Sequence, residues 1–102
     1  MSELEEELLI FSLDEESEQF RIAEEIDEPI YQNLNSNLIY CFVDSDNKTL
    51  WIWHGKNVNV RMKFIAVQYA PIIRNKHGID FKITGIDEDD EPVDFKSFIE
   101  LY

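Results

Sequence analysis

The feature that most constrains this chain is a pair of apolar runs separated by a short polar turn. Leu38-Ile39-Tyr40-Cys41-Phe42-Val43 is continuous, with β-branched and aromatic residues at both alternating positions. Such a strand leaves no face for water, so it belongs at the centre of a sheet covered on both sides. Asp44-Ser45-Asp46-Asn47-Lys48 then turns the chain, and Leu50-Trp51-Ile52-Trp53 returns as a second strand closed by Gly55. With 102 residues, 44% of them hydrophobic, the chain can build one core of this kind and not two.

What precedes and follows the hairpin supplies the cover. Leu8 to Leu13 is a short apolar run, an acidic turn spans Asp14 to Glu18, and Phe20-Arg21-Ile22-Ala23 partly alternates, so the pair reads as another hairpin. Residues 29–37 form a polar connection. From Asn57 the period changes: Val58, Met62, Ile65, Ala66, Tyr69, Ala70 and Ile73 recur at spacings of three and four. That predicts a helix of about four turns, capped at its start by Asn57 or Asn59 and stopped at His77-Gly78. Pro71 falls inside the pattern and is expected to kink or shorten the last turn. Ile79 to Ile83 alternates like an edge strand. Pro92 opens a short helix with Phe95, Phe98, Ile99 and Tyr102 inward. The predicted order is ββββαβα, with one long and one short helix.

The long helix carries more apolar surface than one sheet face needs. Its core face holds Val58, Met62, Ala66, Ala70 and Ile73 with Ile65 and Tyr69. On the opposite side Val60, Phe64, Val67 and Pro71 form a second stripe, flanked by Arg61 and Lys63. The short helix is needed on the other face of the sheet, so this stripe is a candidate binding face. Acidic N-terminal residues or a second copy of the chain are the alternative covers.

Charge and motif content exclude most other classes. The net charge is −13, which argues against a broad nucleic-acid or anionic-membrane surface. Residues 1–29 carry a net −11, with residues 1–6 read as an acidic tail, whereas 58–84 carry +4 and could offer a basic surface to an acidic partner. A single cysteine, Cys41, forms no internal disulfide and reads as a core thiol, as expected of a reducing, cytoplasmic protein. His54 and His77 lack neighbours at ligand spacing, and the three glycines stand apart, so neither zinc nor a phosphate loop is indicated. Asp44 to Thr49 begins like a calcium loop but lacks its glycine and oxygen ligands. No nucleophile and base are nominated, and no enzyme is expected.

Three segments together resemble a gelsolin-like domain, the repeat unit of gelsolin, villin, severin and fragmin. Leu50-Trp51-Ile52-Trp53-His54-Gly55-Lys56 is similar to the family's strand end. Ala66 and Ala70 fall where the long helix carries its alanines. Glu91-Pro92-Val93-Asp94-Phe95-Lys96-Ser97-Phe98 matches the closing Glu-Pro-x-x-Phe-x-x-Phe motif. The resemblance covers residues 7–102. It implies an α+β (α/β) domain with a central five-stranded mixed sheet between one long and one short helix. It also implies actin as partner, the long helix entering a cleft between two actin subdomains. Val60, Phe64 and Val67 are then the leading contacts, with Arg61, Lys63, Gln68 and Pro71 around them.

The sequence departs from the family at the usual calcium positions. Asn37 or a neighbour stands at the start of the central strand, and Met62 replaces the carboxylate of the long helix. A thioether does not substitute for a carboxylate toward a hard cation, so no cofactor is expected and the calcium switch is expected to be absent. A single domain lacks the linked grip of its multi-domain relatives. Monomer binding with sequestration or end-capping is therefore expected, with little severing. The rival expectation is an interaction scaffold without actin, as in the gelsolin-like domains of vesicle-coat proteins, possible also as a homodimer.

Overall fold

The computed structural model describes residues 8–23 and 26–102. The acidic tail expected at residues 1–6 lies outside these. The strands are β1 (Ile10–Asp14), β2 (Gln19–Ile22), β3 (Ile39–Asp44), β4 (Thr49–His54) and β5 (Lys82–Asp87). The helices are α1 (Val60–His77) and α2 (Val93–Ile99), with one 3-10 turn at Tyr31–Asn33. The strands form one five-stranded sheet in the order β2-β1-β3-β4-β5. All neighbours are antiparallel except β4 and β5, which the α1 crossover makes parallel. The expected order and mixed sheet are both present.

The two sheet faces separate by residue parity, as a pleated strand requires. Cys41 pairs with Ile52 and Val43 with Leu50, and these side chains point to the α1 side. There they meet Met62, Ile65, Ala66, Ala70 and Ile73, with Leu13, Phe20, Ile39 and Phe81 completing the layer. Ala66 and Ala70 are wholly buried, and their small size lets the helix backbone lie close to the sheet. Tyr40 pairs with Trp53 and Phe42 with Trp51 on the other face, where Phe95, Phe98 and Ile99 of α2 cover them. Phe95 stands edge-on to both Phe42 and Trp51, at ring separations of 5.4 and 5.6 Å, a favoured aromatic geometry.

Each buried indole N–H on the α2 side finds a buried carboxylate. Trp51 Nε1 donates to Asp44 at 3.0 Å, and Trp53 Nε1 donates to Glu91 at 2.8 Å. The Tyr31 hydroxyl donates to the same Glu91 oxygen at 2.8 Å. Glu91 thereby ties the closing motif to β4 and to the 3-10 turn.

Of the two expected caps of α1 it is Asn59 that serves, accepting from the Met62 N–H at 2.8 Å, so Val58 precedes the helix although it packs on the core. Two other expectations about boundaries need correction. Pro71 does not shorten α1, which runs on for 18 residues in all. The carbonyl that proline leaves without an intrahelical donor is that of Val67, on the exposed side, while Ala70 and Ile73 keep the last turns packed on the sheet. The fifth strand begins at Lys82 rather than Ile79. Pairing with β4 starts only where the Lys82 N–H reaches the Lys48 carbonyl, at 2.9 Å, and Ile79 before it is exposed.

Candidate partner-binding face

The outer side of α1 is apolar and uncovered. Val60 is 83% exposed, Phe64 60% and Val67 67%, so the second stripe is accessible along the first two turns. Gln68 is exposed beside it and Pro71 is half-buried at its far end. Stripe and core face share one helix because Met62, Ile65, Ala66, Ala70 and Ile73 occupy the opposite arc at 100° per residue. No described segment of the chain lies over Phe64.

The rim is not the free basic border that the helix alone implies. Arg61 reaches back to the β1–β2 turn, where its Nη1 and Nη2 donate to Glu15 at 2.8 Å and Glu18 at 2.9 Å. One guanidinium thus faces two carboxylates, and that edge of the stripe is net acidic. Lys63 lies on the other edge, with Nζ 4.0 Å from Asp87. Asp87 also sits 3.1 Å from His54 Nδ1. Of the five cations in residues 58–84, Arg61 and Lys63 are thus met by acids from elsewhere in the chain. Arg74 and Lys76, in the last turn of α1, have no carboxylate within 4.0 Å among the described residues.

Two residues of this face were missed by the sequence reading. Ile72 is 46% exposed and follows Gln68 by one turn on the Arg61 edge. The sequence reading assigns it to neither face, and in the run Pro71-Ile72-Ile73 only helical phase distinguishes it from buried Ile73. Arg74 follows Lys63 by eleven residues, about three turns, and so shares the opposite edge.

At the end of the sheet near Gly55 a hydrogen-bonded cluster occupies the position discussed for calcium. Asn57 Nδ2 donates to Asn37 Oδ1 at 3.0 Å. Glu88 accepts from Ser36 Oγ and from the Lys56 N–H, each at 2.9 Å. Met62 is buried against the sheet. Among the described residues no group of three or more His, Cys, Asp or Glu side chains is arranged to hold a metal ion. A surface groove of about 540 Å³ lies away from the stripe, between Tyr31, Glu91, Lys96 and Ile99. Among the described residues no helix is long and apolar enough to cross a membrane.

A mixed five-stranded sheet held between a long crossover helix and a short closing helix defines a single gelsolin-like domain in fold. Solved structures carry the same arrangement. The chain is similar to ProGel of Thorarchaeota, crystallised as a complex with rabbit actin, with a TM-score of 0.76 and 18% identity over 91% of this chain and 99% of that one. It is also similar to 2DGel3 of Thorarchaeota, likewise crystallised with rabbit actin, with a TM-score of 0.65 and 20% identity. That match takes in 95% of this chain but 49% of the other, so the present domain spans about half of it. No family model matches the sequence, and no curated protein does either.

Proposed function

We propose that this domain binds actin through the outer face of α1, with Val60, Phe64 and Val67 as apolar anchors and Gln68 and Pro71 beside them. The observation that carries the reading is the uncovered stripe on a helix whose core face is already complete. Support comes from the two gelsolin-like structures of the same fold that were crystallised with rabbit actin. Burying an apolar side chain of this size stabilises a complex by roughly 1.5–3 kcal/mol before entropic costs. Three such anchors in one row are enough to organise a binding site.

Acting by itself, a domain of this kind occupies one site on one subunit, so its effect is sequestration of monomers or capping of a filament end, with little severing. On this reading binding does not require calcium, because by the resemblance Asn37 or a neighbour and Met62 fall at the positions where relatives carry carboxylate ligands. The activity is not enzymatic and belongs in the cytoplasm.

The test is polymerisation and pelleting of rabbit actin with the purified domain, in calcium and in chelator. Dose-dependent inhibition equal in both conditions is expected. Phe64→Asp loses an anchor and forces a carboxylate into an apolar contact, weakening binding by about 3 kcal/mol, or over a hundredfold. It leaves the fold intact, since Phe64 is solvent-facing. Unchanged inhibition by folded Phe64→Asp refutes the assigned face, and inhibition confined to calcium refutes the metal assignment.

A further inference from the structure

We infer that Arg74, at the far end of the stripe, is the principal electrostatic contact of this face, meeting a carboxylate of the partner beside its apolar cleft. This deepens the actin reading above and rests on it. The assignment follows from which cations on α1 are already engaged and which border the stripe. Lys76, like Arg74, has no carboxylate partner among the described residues, but it falls about 140° round the helix from Pro71, off the stripe. Arg61 is held by Glu15 and Glu18 at 2.8 and 2.9 Å. An approaching anion there meets a site that is net negative, and taking Arg61 would strand two carboxylates. Lys63 shares Asp87 at 4.0 Å, so its charge is partly neutralised. Among the described residues Arg74 donates only to the neutral Asn75 side chain, at 3.3 Å from Nε and 3.2 Å from Nη2.

Position favours the same residue. Arg74 stands three turns beyond Lys63 on one edge, with Pro71 between it and the apolar row and Ile72 on the opposite edge. At about 1.5 Å rise per residue, Arg74 is roughly 20 Å along the helix from Arg61. That exceeds the Debye length of about 8 Å at physiological ionic strength, so the acidic clamp does not cancel the field at Arg74. The face is thus apolar in the middle, acidic at one edge near its start and basic at the other edge near its end. Such a pattern fixes the direction in which the helix lies in a cleft, because reversing it places the clamp against the partner's carboxylate. The guanidinium also suits a carboxylate better than an ammonium does, by its paired donors.

The experiment measures association of labelled rabbit actin monomers with the domain at low and high salt. It compares the unmodified protein with Arg74→Glu, Arg74→Lys, Arg61→Gln and Phe64→Asp, each checked by its melting temperature. Arg74→Glu is expected to weaken binding about five- to tenfold at low salt, with the deficit shrinking as salt rises, as a rim charge should. Arg74→Lys recovers most of the loss, and Arg61→Gln stays within about twofold of the unmodified protein. Loss of binding in Phe64→Asp with no effect of Arg74→Glu overturns this inference and leaves the actin reading standing. An effect of Arg61→Gln as large as that of Arg74→Glu overturns it also. Undiminished binding by folded Phe64→Asp overturns the face and this inference together.

Discussion

Glu91 offers a test of the fold that is independent of any partner. Its side chain is buried, and a single oxygen accepts both the Trp53 indole N–H and the Tyr31 hydroxyl at 2.8 Å. Replacing it by Ala leaves the Trp53 N–H inside an apolar layer with no acceptor, which costs about 1–3 kcal/mol. The Tyr31 hydroxyl is partly exposed and recovers a partner in water, so its share is nearer 1 kcal/mol. Together these predict a loss of about 2–4 kcal/mol for Glu91→Ala in urea or thermal unfolding. Glu91→Gln keeps an acceptor in place and gives up only the charge assistance, so it should lose about half as much. The pH dependence separates the two effects. Burial raises the Glu91 pKa, but the hydrogen bonds from Trp53 and Tyr31 outweigh it, leaving the carboxyl below its ordinary value of 4.5 in the folded chain. The stabilisation is therefore complete above pH 4.5 and is lost as pH falls through the folded value. Glu91→Gln does not titrate, so its stability should fall less steeply on the acid side. Equal stabilities for the Ala and Gln variants, with an unchanged acid limb, refute the proposed network.

Two further outcomes rest on close packing in the core and at the end of the sheet. A Cβ at Gly55 would stand 2.2 Å from the Ser36 carbonyl oxygen and 2.8 Å from that of Leu38, and the Gly55 and Asn57 N–H groups bond to these same carbonyls at 3.0 Å. Gly55→Ala should cost about 3 kcal/mol, and a melting temperature within a few degrees of the parent would refute that close approach. Cys41 lies wholly within the core, and burial pushes its thiol pKa up to about 12. The thiol should resist a disulfide reagent in the native protein and react once denatured, whereas prompt stoichiometric labelling of the native form refutes its placement.

Local patterns were legible in the sequence where short range decides the structure. The unbroken run through Phe42 requires a two-sided strand, and its partner through Trp51 and Trp53 follows across a five-residue turn. The phase of α1 separated Met62, Ala66 and Ala70 from Phe64 and Val67 without any tertiary information. Interactions between distant residues were not legible. Nothing in the sequence pairs Trp53 with Glu91, 38 positions on, or ties Arg61 to Glu15 and Glu18 across the hairpin turn. The rim of the face therefore read as basic when one edge of it is acidic. The start of β5 was misplaced for a related reason. Alternation from Ile79 does not report where pairing begins, which depends on the start of β4, where Lys48 and Thr49 meet Lys82, and on Phe81 reaching the core under α1.

The composition of the outer face of α1 is not something the fold demands. The helix already covers its side of the sheet with five buried residues, has a side-chain cap at Asn59, and ends in Arg74, Lys76 and His77, which complement its dipole. Lys or Glu at positions 60, 64 and 67 would raise helix propensity over Val and Phe by a few tenths of a kcal/mol each. Such residues would also remove an apolar row from water. An α1 optimised only for stability would thus lack the stripe, while the rest of the surface carries the charge that keeps a −13 chain apart from its copies. The acidic clamp on Arg61 has the same character: it places two carboxylates beside an apolar row, where, on the proposed reading, they would disfavour a partner carboxylate at that spot. Apolar anchors that the core does not use, bordered by charges that distinguish one docking direction from its reverse, are the arrangement expected of a binding helix and of no structural role within the domain.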